Sequence, residues 1–272
     1  MKWTKRQWLG NGIVILVVVL LALGAHWKSN HPKDHWQAMQ QTKTVVVGID
    51  DTFVPMGFRN QQGHLVGFDV DLARAAFAEM GLKVKFQVID WSMKETELKT
   101  GHVDVIWNGY TATPDRAKQV AFSKPYAYNQ QVVLALKDSP YQSVKDLKGQ
   151  SLGLQTGSSG MQVYNQEPAK LKRSIGQTVQ YDTFDKALDD VAVKRIQGVL
   201  VDSNYAQYYL RHTPHANRFI ILQPGYDKEA FVVGMRPEDH ELKQALNQEL
   251  AKLKKSGSIN KLSKKYFGTL AP

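Results

Sequence analysis

One arginine and two aspartates in this chain stand at the ends of short β-branched runs, and their chemistry is complementary. Arg116 offers a planar guanidinium that can donate two parallel hydrogen bonds to a carboxylate, and Thr111 adds a hydroxyl donor just upstream. Asp202 and Asp50 are acceptors suited to an ammonium group. Gly157, Ser158, Ser159 and Gly160 form a run expected to turn backbone N–H groups into a cleft at a helix N-terminus, where an anion is held. A cationic fork facing carboxylates matches a zwitterion, an α-carboxylate beside an α-amine. Each residue also has a plainer role open to it. Arg116 can pair with Asp115 or Glu79 at the surface, Asp202 can cap a helix starting at Ser203, and Asp50 can serve a turn. Ser158 and Ser159 can be a cap, and Phe53 and Trp91 can be ordinary core aromatics.

These positions come together only if the chain folds as repeated strand–helix units, and the hydrophobic pattern argues for that. Residues 45–49 are a β-branched run, and 69–80 carries Leu72, Ala76 and Met80 four apart, with Gly81 where a helix C-cap belongs. Residues 84–89 read as a second strand. Ser92 and Glu95 spell a capping box opening a helix that Leu98 and Gly101 close, and 103–107 is a third strand. A second cycle follows Tyr128, with extended segments at 131–136, 151–154, 179–181 and 198–201, a helix capped by Thr183, and another over 205–210. An extended stretch at 231–235, Pro237 at a helix start, and two helices over 238–254 and 259–266 complete the pattern. Such alternation predicts an α/β protein with largely parallel sheets and two cores. In open α/β sheets ligands lie beyond the carboxyl ends of the strands. Asp50, the 108–111 loop with Asn108 and Gly109, the 157–160 run and Asp202 all fall there.

At 272 residues, 43% hydrophobic, the chain has apolar material for two cores of ordinary size. Its net charge is +10, but the lysines have few aromatics between them, so they read as a solvated surface beside an anionic membrane or wall, with no nucleic-acid partner. The absence of cysteine excludes disulfides, thiol catalysis, thiolate metal sites and lipidation through cysteine. Residues 1–25 place Lys2, Lys5 and Arg6 before an uncharged apolar run, the layout of a signal peptide or an uncleaved N-terminal membrane anchor; either exports the rest of the chain. Residues 26–43 read as a polar linker with at most a short helical turn. His31, Asp34 and His35 lie close in sequence, but Pro32 disfavours a helix and no further ligands stand nearby, so no metal site is assigned.

Four stretches are more specific together than alone: Val66-Gly67-Phe68-Asp69-Val70-Asp71-Leu72; Gly101 through Val103-Asp104 to Asn108-Gly109-Tyr110-Thr111; Thr113-Pro114-Asp115-Arg116 leading into Ala121-Phe122-Ser123-Lys124-Pro125-Tyr126; and Lys264-Lys265-Tyr266-Phe267-Gly268. Over residues 43–268 the chain resembles the polar amino-acid family of bacterial ABC-transporter solute-binding proteins. The resemblance implies a two-lobed periplasmic-binding-protein type II fold, with a cleft between the lobes and crossing hinge segments near 126–128 and 229–231. Lobe 1 is then discontinuous, 44–127 with 230–268, and lobe 2 is 128–229. It further implies that Arg116 takes a ligand carboxylate with Thr111, Ser158 and Ser159, that Asp202 takes the ammonium, and that Phe53 meets the ligand side chain with Asp50 beside it. Trp91, Asn108 and Gly109 complete the candidate site.

The implied activity is binding by hinge closure of a free polar amino acid, basic or glutamine-like, without catalysis, metal or cofactor. The implied partners are an ABC permease and its ATPase, and the implied state is a monomer. Glu95 and Glu97 are further candidates to meet a cationic side chain, although Glu95 already has work in the capping box. Three departures from the family pattern stand out: Ala25 where a lipid-bearing cysteine is common, Asn108-Gly109 in place of serine or alanine, and Gly160 in place of a bulkier polar residue. Two other readings use the same residues: an arogenate or prephenate dehydratase-like enzyme, which needs a general acid over the carboxylate grip, and an inorganic oxyanion binder built on the 156–160 loop.

Overall fold

The computed structural model describes residues 34–214 and 216–268. The expected signal or anchor segment and His31 lie outside the described residues. Two sheets organise the chain. The first takes strands from both ends of the sequence: β1 (Thr44–Ile49), β5 (Lys83–Val88), β6 (Val105–Ile106), β7 (Ala121–Phe122) and β14 (Gly234–Met235), in the order β5-β1-β6-β14-β7. The second is built from the middle: β8 (Ala127–Leu136), β9 (Ser151–Gln155), β10 (Gln177–Tyr181), β11 (Gly198–Asp202) and β12 (Phe219–Leu222), in the order β10-β9-β11-β8-β12, with β13 (Lys228–Phe231) also on β8. A small antiparallel sheet of β2 (Thr52–Phe53), β3 (Gly57–Arg59) and β4 (Leu65–Val66) follows β1.

The expected parallel ladders exist, β5-β1-β6 in one lobe and β10-β9-β11 in the other, but neither sheet is wholly parallel. β14 runs antiparallel to β6 and β7, and β8 antiparallel to β11 and β12. Both exceptions adjoin the places where the chain changes lobe. β8 and β13 leave and re-enter lobe 1 as an antiparallel pair, with Ala127 opposite Phe231 and Tyr128 opposite Ala230.

Helix α2 (Phe68–Glu79) starts after Gly67, whose φ of +145° and approach to Met56 leave no room for a side chain: a Cβ would sit 2.2 Å from the Met56 carbonyl oxygen. Asp69 and Asp71 lie in its first turn, where the helix dipole favours negative charge. Its apolar stripe, including Phe68, Leu72 and Ala76, is buried. Helices α7 (His240–Lys255) and α8 (Ser258–Phe267) pack against it, and Tyr266 donates to Asp71 at 2.6 Å, tying two of the distinctive stretches together. In lobe 2, Thr183 caps α5 (Phe184–Ala192) as expected, and Phe184, Ala187, Leu188 and Val191 form its buried face. Among the described residues no helix is long and apolar enough to cross a membrane.

Three local expectations change. The end of the polar linker is folded: α1 (Trp36–Thr42) buries Met39 against lobe 1, and His35 meets the fully buried Asp239 through its backbone N–H (3.0 Å) and Nδ1 (2.9 Å). No local pattern announces this, because the partner lies 204 residues away. The Ser92–Glu95 capping box does not form. Asp90 caps a 3-10 turn over Trp91–Met93 by accepting from the Ser92 N–H, α3 (Lys94–Lys99) follows, and Glu95 is released for other contacts. Pro237 precedes α7 by a short turn instead of opening it.

Asp239 also pairs with Arg236 at 2.9 Å, and Arg236 reaches Asp104 at 3.2 Å and the carbonyls of Leu98 and Val103. Removing one member of a buried ion pair strands the other. Asp239→Ala is therefore expected to lower stability by about 3–5 kcal/mol in urea unfolding; a loss within about 0.5 kcal/mol contradicts this role.

Candidate functional site

The strand ends of the two lobes face one another across a narrow cavity of about 10 Å³, space for about one water molecule, so the walls are drawn closely together in this state. Asp50, Phe53, Trp91, Asn108, Gly109, Arg116, Ser158, Ser159 and Asp202 line it, together with Gln155. Thr111 does not line the cavity. It sits behind it and donates from Oγ1 to Ser159 Oγ at 3.1 Å.

Arg116 opens a 3-10 turn, its N–H donates to the Thr113 hydroxyl, and its side chain is buried at 5% exposure. Its guanidinium stacks over the Tyr110 ring at 4.5 Å. Nη1 donates to the Thr111 carbonyl (2.9 Å), Nη2 to the Gly157 carbonyl across the cleft (3.1 Å), and Nε pairs with Glu95 (3.4 Å). Asp115, the surface partner considered from sequence, pairs instead with Lys118. The orientation of the 157–160 run also differs from expectation: Gly157 presents its carbonyl to the cations, while Ser158 caps α4 (Ser159–Gln166) by accepting from the Met161 N–H at 3.0 Å.

Asp202 occupies the N-cap position of α6 (Ser203–His212) but its side chain makes no capping bond. Its Oδ1 accepts instead from Asn129 Nδ2 and from Gln131 Nε2 at 3.1 Å. Gln131 also donates to Ser159 (3.2 Å) and Glu229 (2.9 Å). Burial, and then the neighbouring Glu229, push the Asp202 carboxyl up to about 8, and burial raises Glu229 as well. Burial thus favours the protonated form of Asp202, against the opposing effects of Gln131 and Arg116.

Asp50 is a turn residue and a cavity residue at once. Its Oδ1 accepts from the Thr52 N–H and hydroxyl, and its Oδ2 accepts across the cleft from Gln155 at 3.1 Å. Burial raises its carboxyl too, with the hydrogen bonds of Thr52 and Gln155 working against that. Phe53 stacks on Tyr205 (6.0 Å) and tilts against Phe184 (5.8 Å), both from lobe 2. Trp91 sets its edge against Tyr110 at 6.2 Å.

Two of the glycines singled out from sequence face close neighbours. A Cβ on Gly109, at φ +58°, would lie 2.4 Å from the Phe53 ring, and one on Gly160 would lie 2.7 Å from Gln131 Oε1. Asn108 uses Oδ1 to accept from the Asp50 N–H at 2.8 Å, leaving its buried Nδ2 without a hydrogen-bond partner among the described residues.

Several members of this cluster were not singled out from sequence. Gln155 ends β9, so the strand-end rule reaches it directly. Asn129 and Gln131 are buried at alternating positions in the polar first half of β8, with the partly exposed Gln130 between them. Glu229 has no local signal, because its partners lie far off in sequence, and nothing local announces that Lys94, beside Trp91 and Glu95, also reaches Gly157. Glu97 lies off the site, paired with His102.

Bacterial extracellular solute-binding proteins, family 3, match residues 45–269 of this sequence. The chain belongs to that family. A solved substrate-binding protein of an ABC uptake transporter from Streptococcus pneumoniae, with bound histidine, is 42% identical, with a TM-score of 0.85 and coverage of 88% of this chain and 98% of that one. The ABC transporter arginine-binding protein 1 of Escherichia coli is 30% identical over 222 residues, 81% of this chain and 89% of the relative. An arginine-binding extracellular protein of Bacillus subtilis is 27% identical over 263 residues, 96% of this chain and 98% of the relative. The family and these relatives are binding proteins, and the fold is the two-lobed type II arrangement.

The raised Asp202 carboxyl carries a consequence for the ligand-free protein. Between the unfolded carboxyl range near 4 and the folded value of about 8, the native state keeps a proton that the unfolded chain has released, so stability falls as pH rises through that window. Urea midpoints of wild type and Asp202→Asn should agree best at or below about pH 4, and the variant should become the more stable by pH 8.5. Parallel pH curves would show that Asp202 is not held protonated.

Proposed function

We infer that this chain is the extracytoplasmic substrate-binding component of an ABC importer for a free polar amino acid. The observation that carries this is the convergence of Arg116 and Asp202 on one enclosed cavity, each with its remaining polar atoms engaged by neighbours. The ligand α-carboxylate lies on Arg116, with Ser158, Ser159 and the free amide of Asn108 as further donors, and Thr111 steadies Ser159 from behind. The α-ammonium lies on Asp202, which gives up its proton to receive it. Lobe 1 supplies the first group and lobe 2 the second, so the closed state alone makes both contacts, and ligand shifts the hinge by that difference in affinity. The hinge is the paired crossing of β8 and β13, with residues 44–127 and 230–268 forming one lobe and 128–229 the other.

The side-chain pocket favours a basic amino acid. Asp50 stands beside Phe53 as a second buried carboxyl, while Glu95 is taken up by Arg116, Lys94 and Tyr110. Relatives named for arginine and one holding histidine support the same class. Export by residues 1–25, as signal peptide or retained anchor, and delivery to a permease and ATPase by a monomer complete the reading.

A dehydratase-like enzyme remains a second reading on one observation, since a protonated Asp202 is the kind of group that serves as a general acid. Unchanged prephenate absorbance on mixing removes it. An oxyanion cradle is disfavoured because the Gly157 carbonyl, an acceptor, faces the cations.

A thermal-shift screen of the twenty amino acids is expected to rank arginine and histidine highest, a ligand at a hundred times its dissociation constant adding about 2.7 kcal/mol. Arg116→Ala is expected to weaken binding at least about a hundredfold in calorimetry. Wild-type affinity in that variant rules out this pose.

A further inference from the structure

The two lobes touch through different chemistry on the two flanks of the cavity. On one flank Phe53 packs against Phe184 and Tyr205. On the other, Lys94, Arg116 and Asp115 of lobe 1 reach Gly157, Gln162 and Gln166 of lobe 2. Lys94 is the unexpected member. It is 2% exposed, opens α3, and is absent from the walls of the cavity bounded by Arg116 and Asp202. Its Nζ lies 2.9 Å from the Trp91 carbonyl, 2.9 Å from the Gly157 carbonyl and 3.2 Å from Glu95 Oε2. An ammonium has three donors, and here one of its three acceptors belongs to the opposite lobe.

The surroundings are fitted to this contact. Gly157, at φ +72°, would place a Cβ 3.0 Å from Ser92 Cα and 3.3 Å from Lys94 Nζ, so glycine lets the lobe-2 loop approach the ammonium. Two cations on one carbonyl repel each other. Glu95 lies against both, 3.2 Å from Lys94 and 3.4 Å from Arg116, and is itself held by the Tyr110 hydroxyl at 3.0 Å. Asp90 is a more distant carboxylate on the same side. A lysine is rarely buried so completely unless paired; Lys94 pairs with Glu95 in its own lobe and spends a further donor on a carbonyl of the other.

We propose that Lys94 is a closure latch: a positioning residue that fastens the Gly157 loop of lobe 2 to lobe 1 without touching the ligand, and so sets how long a bound amino acid stays and not which one binds. This rests on the amino-acid-binding reading. Opening the cleft breaks the Lys94–Gly157 bond along with Arg116–Gly157, and only the latter residue also grips the ligand. Because the latch needs no ligand, the ligand-free protein closes for part of the time.

The chain has no cysteine, so Lys99→Cys in lobe 1 and Arg173→Cys in lobe 2, both exposed, accept spin labels without background. Interlobe distances in the ligand-free protein, and association and dissociation rates for arginine and histidine, are to be compared among wild type, Lys94→Met and Lys94→Arg. Ligand-free wild type is expected to show a closed population that Lys94→Met loses and Lys94→Arg keeps. Dissociation of both amino acids should speed up about ten- to a hundredfold in Lys94→Met, with association within about twofold and the ligand ranking unchanged. Wild-type distances and dissociation rates in Lys94→Met, or an altered ligand ranking, overturn the latch. Should Lys94→Met fail to fold, Gly157→Ala, which pushes the same surfaces apart from lobe 2, carries the same expectation for distance and dissociation. If wild type binds no amino acid the functional reading falls, while the distance comparison in the ligand-free protein still decides the latch.

Discussion

A guanidinium and a carboxyl, both buried and sharing one cavity, govern this molecule. Arg116 is always charged, and lobe 1 meets its cost with the Tyr110 face, the Thr111 carbonyl and Glu95. Asp202 has only neutral amide donors and a nearby carboxyl, and keeps its proton instead. In the proposed pose, a ligand carrying both a carboxylate and an ammonium relieves the two sites together. A ligand with one of them relieves half the problem and leaves the other group desolvated.

The architecture follows from having to bring those groups face to face. A parallel ladder in each sheet delivers loop residues at its strand ends, and the antiparallel pair β8 and β13 links the two sheets. Small residues then set how closely the walls approach. Gly109 admits the Phe53 ring, Gly160 admits the Gln131 amide, and Gly157 admits the Lys94 ammonium. Each supports one partner that a side chain at that position would expel. Since Gln131 in turn holds Asp202, Ser159 and Glu229, the glycine at 160 bears on the ammonium side of the cavity without facing it.

Much of this was legible in the sequence, because strand ends are marked by local pattern and most of the nine candidates that line the cavity fall at them, whereas Phe53 and Trp91 are aromatics that the rule does not single out. Helix α5 with its Thr183 cap was readable for the same local reason. The failures have a common cause. Ser92 and Glu95 spell a capping box, yet Asp90 competes for the same N–H group and wins, freeing Glu95 for Arg116 and Lys94. The polar stretch before β1 looks like a tether until Asp239, from the far end of the chain, supplies a partner for His35. Asn129, Gln131 and Glu229 were missed because a buried amide or carboxyl has meaning only once its partner is known. Local periodicity encodes the scaffold, whereas long-range polar pairing sets the charge balance inside it.

The central claim is that one small ligand must satisfy the guanidinium and the carboxyl at once. The direct measurement is calorimetric titration of the wild-type protein with arginine or histidine, whichever binds tighter, beside its decarboxylated amine and its N-acetyl derivative. The account predicts heat of binding for the intact amino acid and none at matched concentrations for either derivative. Comparable affinity for the decarboxylated amine would contradict it, since Arg116 would then have nothing to hold.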